Sequence, residues 1–177
     1  DTDTSGTYDC TIAGTDAADF AKSVSGKVCT VTWAAAPDYD NSADSGGNNV
    51  YDITIAFTDG TNALGAQTTA ITVTDVNDQT PAVTVASTYN HAEAASNTFQ
   101  TFTVTDTDTT GTYACTLAGT DAADFAKSES GKDCVVTWAA NPNYEIPADS
   151  DEDNVYDITI AFTDGTNALG AQTTAIT

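Results

Sequence analysis

The chain has 177 residues, with 26 acidic side chains against four lysines (Lys22, Lys27, Lys127, Lys132) and a net charge of −22. That charge excludes nucleic acid and anionic membrane surfaces as partners, because phosphate binding needs cations; it suits divalent cations or a life in high salt. Hydrophobic residues make up 40% and alternate with polar ones, which excludes a disordered acidic polymer, and no apolar run approaches the roughly 20 residues of a membrane span.

In chain order, Thr7–Ala13 alternates with period two, placing Tyr8, Cys10 and Ile12 on one face of a strand. Residues 15–20 predict a turn whose Phe20 plugs the core, and Ser25-Gly26 predicts another turn. Lys27–Ala34 predicts the next strand, with Cys29, Val31 and Trp33 pointing inward. Pro37–Asn49 has no apolar period and reads as a polar loop. Val50–Phe57 is a β-branched alternating strand closed by Asp59-Gly60, and Ala66–Thr74 is a strand running into Asp75-Val-Asn-Asp-Gln-Thr-Pro81. Further strands are expected near Ala82–Ala86 and Phe99–Thr105, joined by residues 88–98, which carry His91 and Glu93.

From Asp106 the first pattern returns. Residues 1–72 and 106–177 align without a gap at an offset of 105, with 58 of 72 positions identical. Such near-identity marks tandem duplication and a string of like domains. Each full repeat holds six or seven short strands and no sustained 3.6 period, which predicts an all-β fold: tandem Greek-key β-sandwich domains joined end to end. The expected boundaries are 1–78, a repeat lacking its first strands, and 79–177, a repeat lacking the following linker. The chain reads as a window of a longer tandem array.

The four cysteines fall as two pairs, each 19 residues apart on the apolar faces of strand candidates. Disulfides Cys10–Cys29 and Cys115–Cys134 are expected, and with them an exported, oxidising location. Zinc fits poorly, with no CxxC and one histidine.

Acids recur at strand ends. Asp106-Thr-Asp108 follows one strand, Asp164 (with its copy Asp59) follows another, and Asp75, Asn77 and Asp78 crowd the hinge between repeats. Strand ends gather at the pole of a sandwich, so these groups are expected to converge. Calcium takes six to eight hard oxygens at about 2.3–2.6 Å, amide carbonyls included, and the hinge supplies that mix with Gln79 as a further carbonyl. Magnesium is second choice. Asp, Asn and Gly also mark ordinary turns. Trp33 and Trp138 alternate in phase with the inward cysteines and read as core, so the acids have no aromatic cleft for glycoside chemistry. No phosphate-binding or nucleophile motif occurs, and no enzymatic activity is expected.

The hinge Asp75-x-Asn-Asp-x-x-Pro81 resembles the inter-repeat linker of cadherins and of cadherin-like repeats in bacterial and archaeal surface proteins. Asp106-x-Asp108 looks like their DxD motif, and Tyr156–Asp164 like their strand ending in a late aspartate. Asn143-Tyr-Glu145 sits where that family carries an LDRE-type glutamate, and Glu93 where its early-strand glutamate falls. The resemblance implies calcium between successive domains, held in this chain by Asp40, Asp75, Asn77, Asp78, Gln79, Asp106, Asp108 and Asp164. Asp1, Asp3 and Asp59 would serve a preceding junction, and Glu93 and Glu145 a following one. Asp40 is a shorter acid than the family's glutamate, and the early-strand glutamate of the first repeat lies outside the chain, so fewer than three ions are expected.

The function expected is a structural segment of an extracellular filament or adhesin stalk, stiffened by calcium, at the cell surface. Its partners would be neighbouring repeats or subunits, with cell-surface or glycan targets further off and no nucleic acid or membrane insertion. The alternative is a self-assembling subunit completed by donor strands from other chains. A carbohydrate-binding module has least support, and halophilic acidity is a separate explanation of the charge.

Overall fold

The computed structural model of the chain describes residues 6–177. It divides into two compact units, Asp1–Asp75 and Val76–Thr177. The fold is all-β, as expected, with two short 3₁₀ turns at Ala17–Asp19 and Ala122–Asp124.

The first unit contains β1 (Asp9–Ala13), β2 (Phe20–Ser25), β3 (Val28–Trp33), β4 (Val50–Thr58) and β5 (Ala63–Thr72). They form one sheet of order β1-β4-β5 and a second of β2-β3, all antiparallel. The second unit contains β6 (Thr88–Tyr89), β7 (Thr98–Thr103), β8 (Ala114–Ala118), β9 (Phe125–Ser130), β10 (Asp133–Trp138), β11 (Tyr156–Thr163) and β12 (Ala168–Ile176). Here the sheets are β6-β12-β11-β8 and β7-β10-β9, antiparallel except for the parallel pair β6–β12.

Strict alternation builds the second unit's core. β10 reads half-buried, buried along its length, and Cys134, Val136 and Trp138 go inward. β11 contributes Tyr156, Ile158, Ile160 and Phe162 from the facing sheet. Trp138 lies between Phe125 (4.3 Å between ring centroids) and Tyr156 (4.9 Å), which confirms it as core. The first unit repeats this trio as Phe20, Trp33 and Tyr51, at 4.5 and 4.9 Å.

Both expected disulfides are present, with Cα atoms 6.2 Å apart in each. They join opposing sheets: Cys10 is on β1 and Cys29 on β3, Cys115 on β8 and Cys134 on β10. A closed loop of this length contributes about 3 kcal/mol in the chain-entropy account.

Three expectations need correction. Residues 20–25, where no strand was expected between the turns at 15–20 and 25–26, hold β2: it pairs with β3 along its whole length but exposes nearly every side chain, so it leaves no period in the sequence. The strand expected at Ala82–Ala86 reduces to a single bridge from Ala82 to Thr105, while Val83 and Val85 pack on the core without a ladder. The parallel pairing falls instead at Thr88–Tyr89, inside the expected connection.

The polar loop before β4 is organised by two buried carboxylates. Asp16 accepts the Ser45 and Asp52 amides at 2.7 and 2.6 Å, and Asp44 accepts those of Asn48 and Asn49 at 3.0 Å. Asp121 and Asp149 do the same in the second unit. Gly14 and Gly119 (φ +108° and +107°) allow the chain to pass over β4 and β11; a Cβ would meet the Asp52 carbonyl at 2.6 Å or that of Asp157 at 2.7 Å.

Candidate metal centre

The second unit brings together Asp106, Asp108 and Asp164, each offering a carboxylate oxygen within 4.8 Å of the others. Each is placed by local chain chemistry. Asp164 ends β11 and caps the turn Asp164-Gly-Thr-Asn167, its Oδ1 accepting the amides of Thr166 (2.7 Å) and Asn167 (2.6 Å). Asp106 and Asp108 follow β7, but on a bend rather than an extended strand: the Asp108 amide donates to Asp106 Oδ1 at 3.2 Å. Tyr113 donates its hydroxyl to Asp106 Oδ2 at 3.3 Å. Lys132 donates to the Asp106 backbone carbonyl at 3.2 Å rather than to its carboxylate.

The hinge closes over this cluster. The Gln79 amide donates to Asp108 Oδ2 at 2.8 Å. Gln79 thus contributes its backbone N–H to the cluster. Asn167 reaches the Asn77 carbonyl at 3.4 Å, and Gly111 leaves room for the hinge, since a Cβ there would lie 3.2 Å from the Asp164 carbonyl and 3.3 Å from the Asn77 amide. Asp78 is exposed and accepts a hydrogen bond from the Gln79 side chain.

One feature of the site points to a cation. Asp108 is 1% exposed and its Oδ1 has no hydrogen-bond partner among the described residues. A buried carboxylate oxygen left bare is costly unless a positive charge faces it. The Asn77 side-chain nitrogen lies 2.8 Å from Asp164 Oδ2 and 2.9 Å from Asp108 Oδ2 and donates to both acids, tying the hinge to the cluster.

Burial pushes the Asp164 carboxyl up, but hydrogen bonds from the Asn167 and Thr166 amides and the Asn167 and Asn77 side chains outweigh it and hold it below the usual value. Asp59, in the identical turn of the first unit, is lowered by the amides of Asn62 and Thr61 and the Asn62 side chain. Both acids are anionic at neutral pH, as metal ligands must be.

In the first unit Asp40 and Asp75 are half-buried and present carboxylate oxygens within 4.8 Å of each other. Asp1 and Asp3 lie outside the described residues. Glu93 and Glu145 are exposed in the second unit, where Glu93 accepts the Tyr144 amide at 3.0 Å. Sequence reasoning missed Asn167 and Tyr113. The repeated Asp-Gly-Thr-Asn signals the Asn167 turn; nothing in the sequence marks Tyr113. A third acidic group, Asp149, Asp151 and Asp153, sits in the loop before β11. Repulsion from Asp153, burial and Asp149 raise Asp151, and the one buried carboxylate there, Asp149, is already bonded to two backbone amides.

No family model and no curated protein matches the chain. Solved structures do. Human protocadherin-24 EC1-2 aligns with 100% of this chain and 83% of its own length, at 16% identity and TM-score 0.69. The protocadherin gammaB7 EC3-6 cis-dimer structure aligns with 98% of the chain at 20% identity and TM-score 0.65, and gammaB7 domains 1-4 with 96% at TM-score 0.66. The chain spans about 40% of each of those gammaB7 structures. The fold is therefore the immunoglobulin-like sandwich of cadherin extracellular domains.

Proposed function

We propose that this chain is a segment of an extracellular filament or adhesin stalk, whose tandem sandwiches are stiffened by calcium at the joint between repeats. The observation that carries the reading is the buried, bare Oδ1 of Asp108 beside Asp106, Asp164 and the Asn77 amide. Asp106, Asp108, Asp164 and Asn77 supply hard oxygens only, the donor set that calcium prefers. Asp40 and Asp75 would complete the set from the first repeat. Asp1, Asp3 and Asp59 would form the equivalent half-site of a preceding joint, with Glu93 and Glu145 at a following one.

The physical role is charge neutralisation. Clustered carboxylates repel without a cation, and the joint loosens; with calcium the same charges bind the repeats together. Two disulfides support an oxidising compartment, in keeping with the cell surface or outside the cell. The acids are committed to turns and backbone amides rather than arrayed around a substrate cleft, which supports a structural rather than catalytic role. Partners would be like repeats of the same assembly.

Calcium titration by calorimetry tests the reading. The wild-type chain should bind saturably, with an affinity on the order of 10⁻⁴–10⁻³ M or tighter. Asp164→Asn should weaken it about tenfold or more. Equal binding by the variant, or thermal stabilisation by sodium chloride alone with no calcium effect, overturns the proposal in favour of halophilic acidity.

A further inference from the structure

The two repeats reach one arrangement from different residues. Aligned at the offset of 105, Asp9 of the first repeat becomes Ala114 in the second, and Val24 becomes Glu129. The carboxylate has moved from the strand that bears the first half-cystine to the strand beside it. Its contacts have not changed. Asp9 Oδ1 accepts the Cys10 amide at 2.8 Å and the Lys22 ammonium at 2.7 Å. Glu129 Oε1 accepts the Cys115 amide at 2.8 Å and the Lys127 ammonium at 2.6 Å. In each unit it is chiefly the lysine that holds this carboxyl below its ordinary value.

The place of the contact gives it a use. In the second unit β8 ends one sheet and β9 ends the other, and the bond from Cys115 to Glu129 spans the gap between these two edges. Just inside lies the Cys115–Cys134 disulfide, whose residues are 1% and 2% exposed. The cavity over it, lined by both cysteines, Glu129 and Lys132 among others, is about 10 Å³. That is room for about one water and none for a thiol.

We propose that Glu129 and Lys127 form a clasp that guards the Cys115–Cys134 disulfide against small-molecule thiols. Reduction begins when a thiolate attacks one sulfur, forms a mixed disulfide and expels the other half-cystine as a thiolate; a second thiol then releases the first and leaves as its own disulfide. With the clasp shut, the attacking sulfur has no path between β8 and β9, and the Glu129 carboxylate repels it as an anion. Parting the two edges breaks the bond to the Cys115 amide, so attack waits on that local opening. The exchange of Asp9 and Val24 for Ala114 and Glu129 keeps the clasp while changing both positions that supply its carboxylate. The proposal is independent of calcium at the joint.

The test treats the intact, oxidised chain with dithiothreitol under native conditions. Each disulfide is followed separately by alkylation and mass spectrometry, and amide exchange by nuclear magnetic resonance. Lys127 and Glu129 have side chains 34% and 35% exposed, which keeps the effect to the lower end of that for a bond to a charged group. Glu129→Val, which installs the first repeat's residue, should therefore speed both reduction of Cys115–Cys134 and exchange of the Cys115 amide about tenfold. The Ile158 and Ile160 amides and the Cys10–Cys29 disulfide should keep their wild-type rates. Adding Ala114→Asp to Glu129→Val should return both rates to within about twofold of wild type, because the carboxylate is then supplied as in the first repeat. Unchanged reduction in Glu129→Val overturns the proposal. So does an acceleration shared by the Ile158 and Ile160 amides, which would mark loosening of the whole sandwich. A double variant that regains the wild-type denaturation midpoint but not the slow reduction overturns it as well.

Discussion

Asp108→Asn distinguishes a metal centre from a merely structural cluster by the sign of its effect. Asp108 forms two like-charge pairs, with Asp106 and Asp164, at oxygen separations of 4.8 Å or less. At an effective dielectric of 20, each pair costs about 3.5 kcal/mol; at the dielectric of water, about 0.9 kcal/mol. Removing both therefore relieves about 2–7 kcal/mol, and screening by salt favours the lower end. Asparagine keeps an oxygen for the Gln79 amide. In EDTA the variant's second unit should therefore be more stable than wild type by about 2 kcal/mol, a rise in Tm of about 8 °C or more for a domain of this size. In millimolar calcium the order should reverse, because the variant has lost a ligand. Differential scanning calorimetry in both buffers reads the two shifts. A variant less stable than wild type in EDTA as well as in calcium would refute the reasoning, since a carboxylate with only structural partners gives one sign throughout.

Three other outcomes follow from the fold. Gly119→Ala, at φ +107° with the Asp157 carbonyl 2.7 Å from the new Cβ, should lower the second unit's stability by about 1–3 kcal/mol, read from the denaturation midpoint. Asp44 is held below the usual carboxylate value by its Ser42 hydrogen bond, against burial, with the Asn48, Asn49 and Gly46 amides adding to it. Its stabilising contribution is therefore present above the unfolded Asp value and lost as pH falls through the lowered one; an acid titration of the first unit should be shallower in Asp44→Asn than in wild type. Reducing the disulfides without denaturant should cost each unit about 3 kcal/mol, read as a fall in its melting temperature.

What was legible in the sequence was whatever burial writes as alternation. β3 and β10, β4 and β11, the inward tryptophans and both disulfides all follow from a period of two against a core. β2 was not legible because hydrogen bonds, not burial, make it a strand: five of its six residues are exposed. The segment at 82–86 misled for the converse reason, since Val83 and Val85 alternate inward without a partner strand. Asp16, Asp44, Asp121 and Asp149 look like surface turn residues, yet each is buried and organises a loop through backbone amides. For Asp16 composition cannot separate such an acid from a solvated one, because the difference lies in contacts 29 and 36 residues away.

At the candidate centre, Asp106, Asp108 and Asp164 were readable from their places at strand ends, and Asn77 from its place in the hinge. The roles of Gln79 as an amide donor and of Asn167 as the clip on Asn77 were not, because backbone direction decides them.

The most direct test of calcium stiffening is small-angle scattering of the intact chain in calcium and in EDTA at constant ionic strength. The account predicts a narrow distribution of end-to-end distances in calcium that broadens on chelation, with no such change in Asp164→Asn. Superimposable profiles for wild type in the two buffers would contradict it.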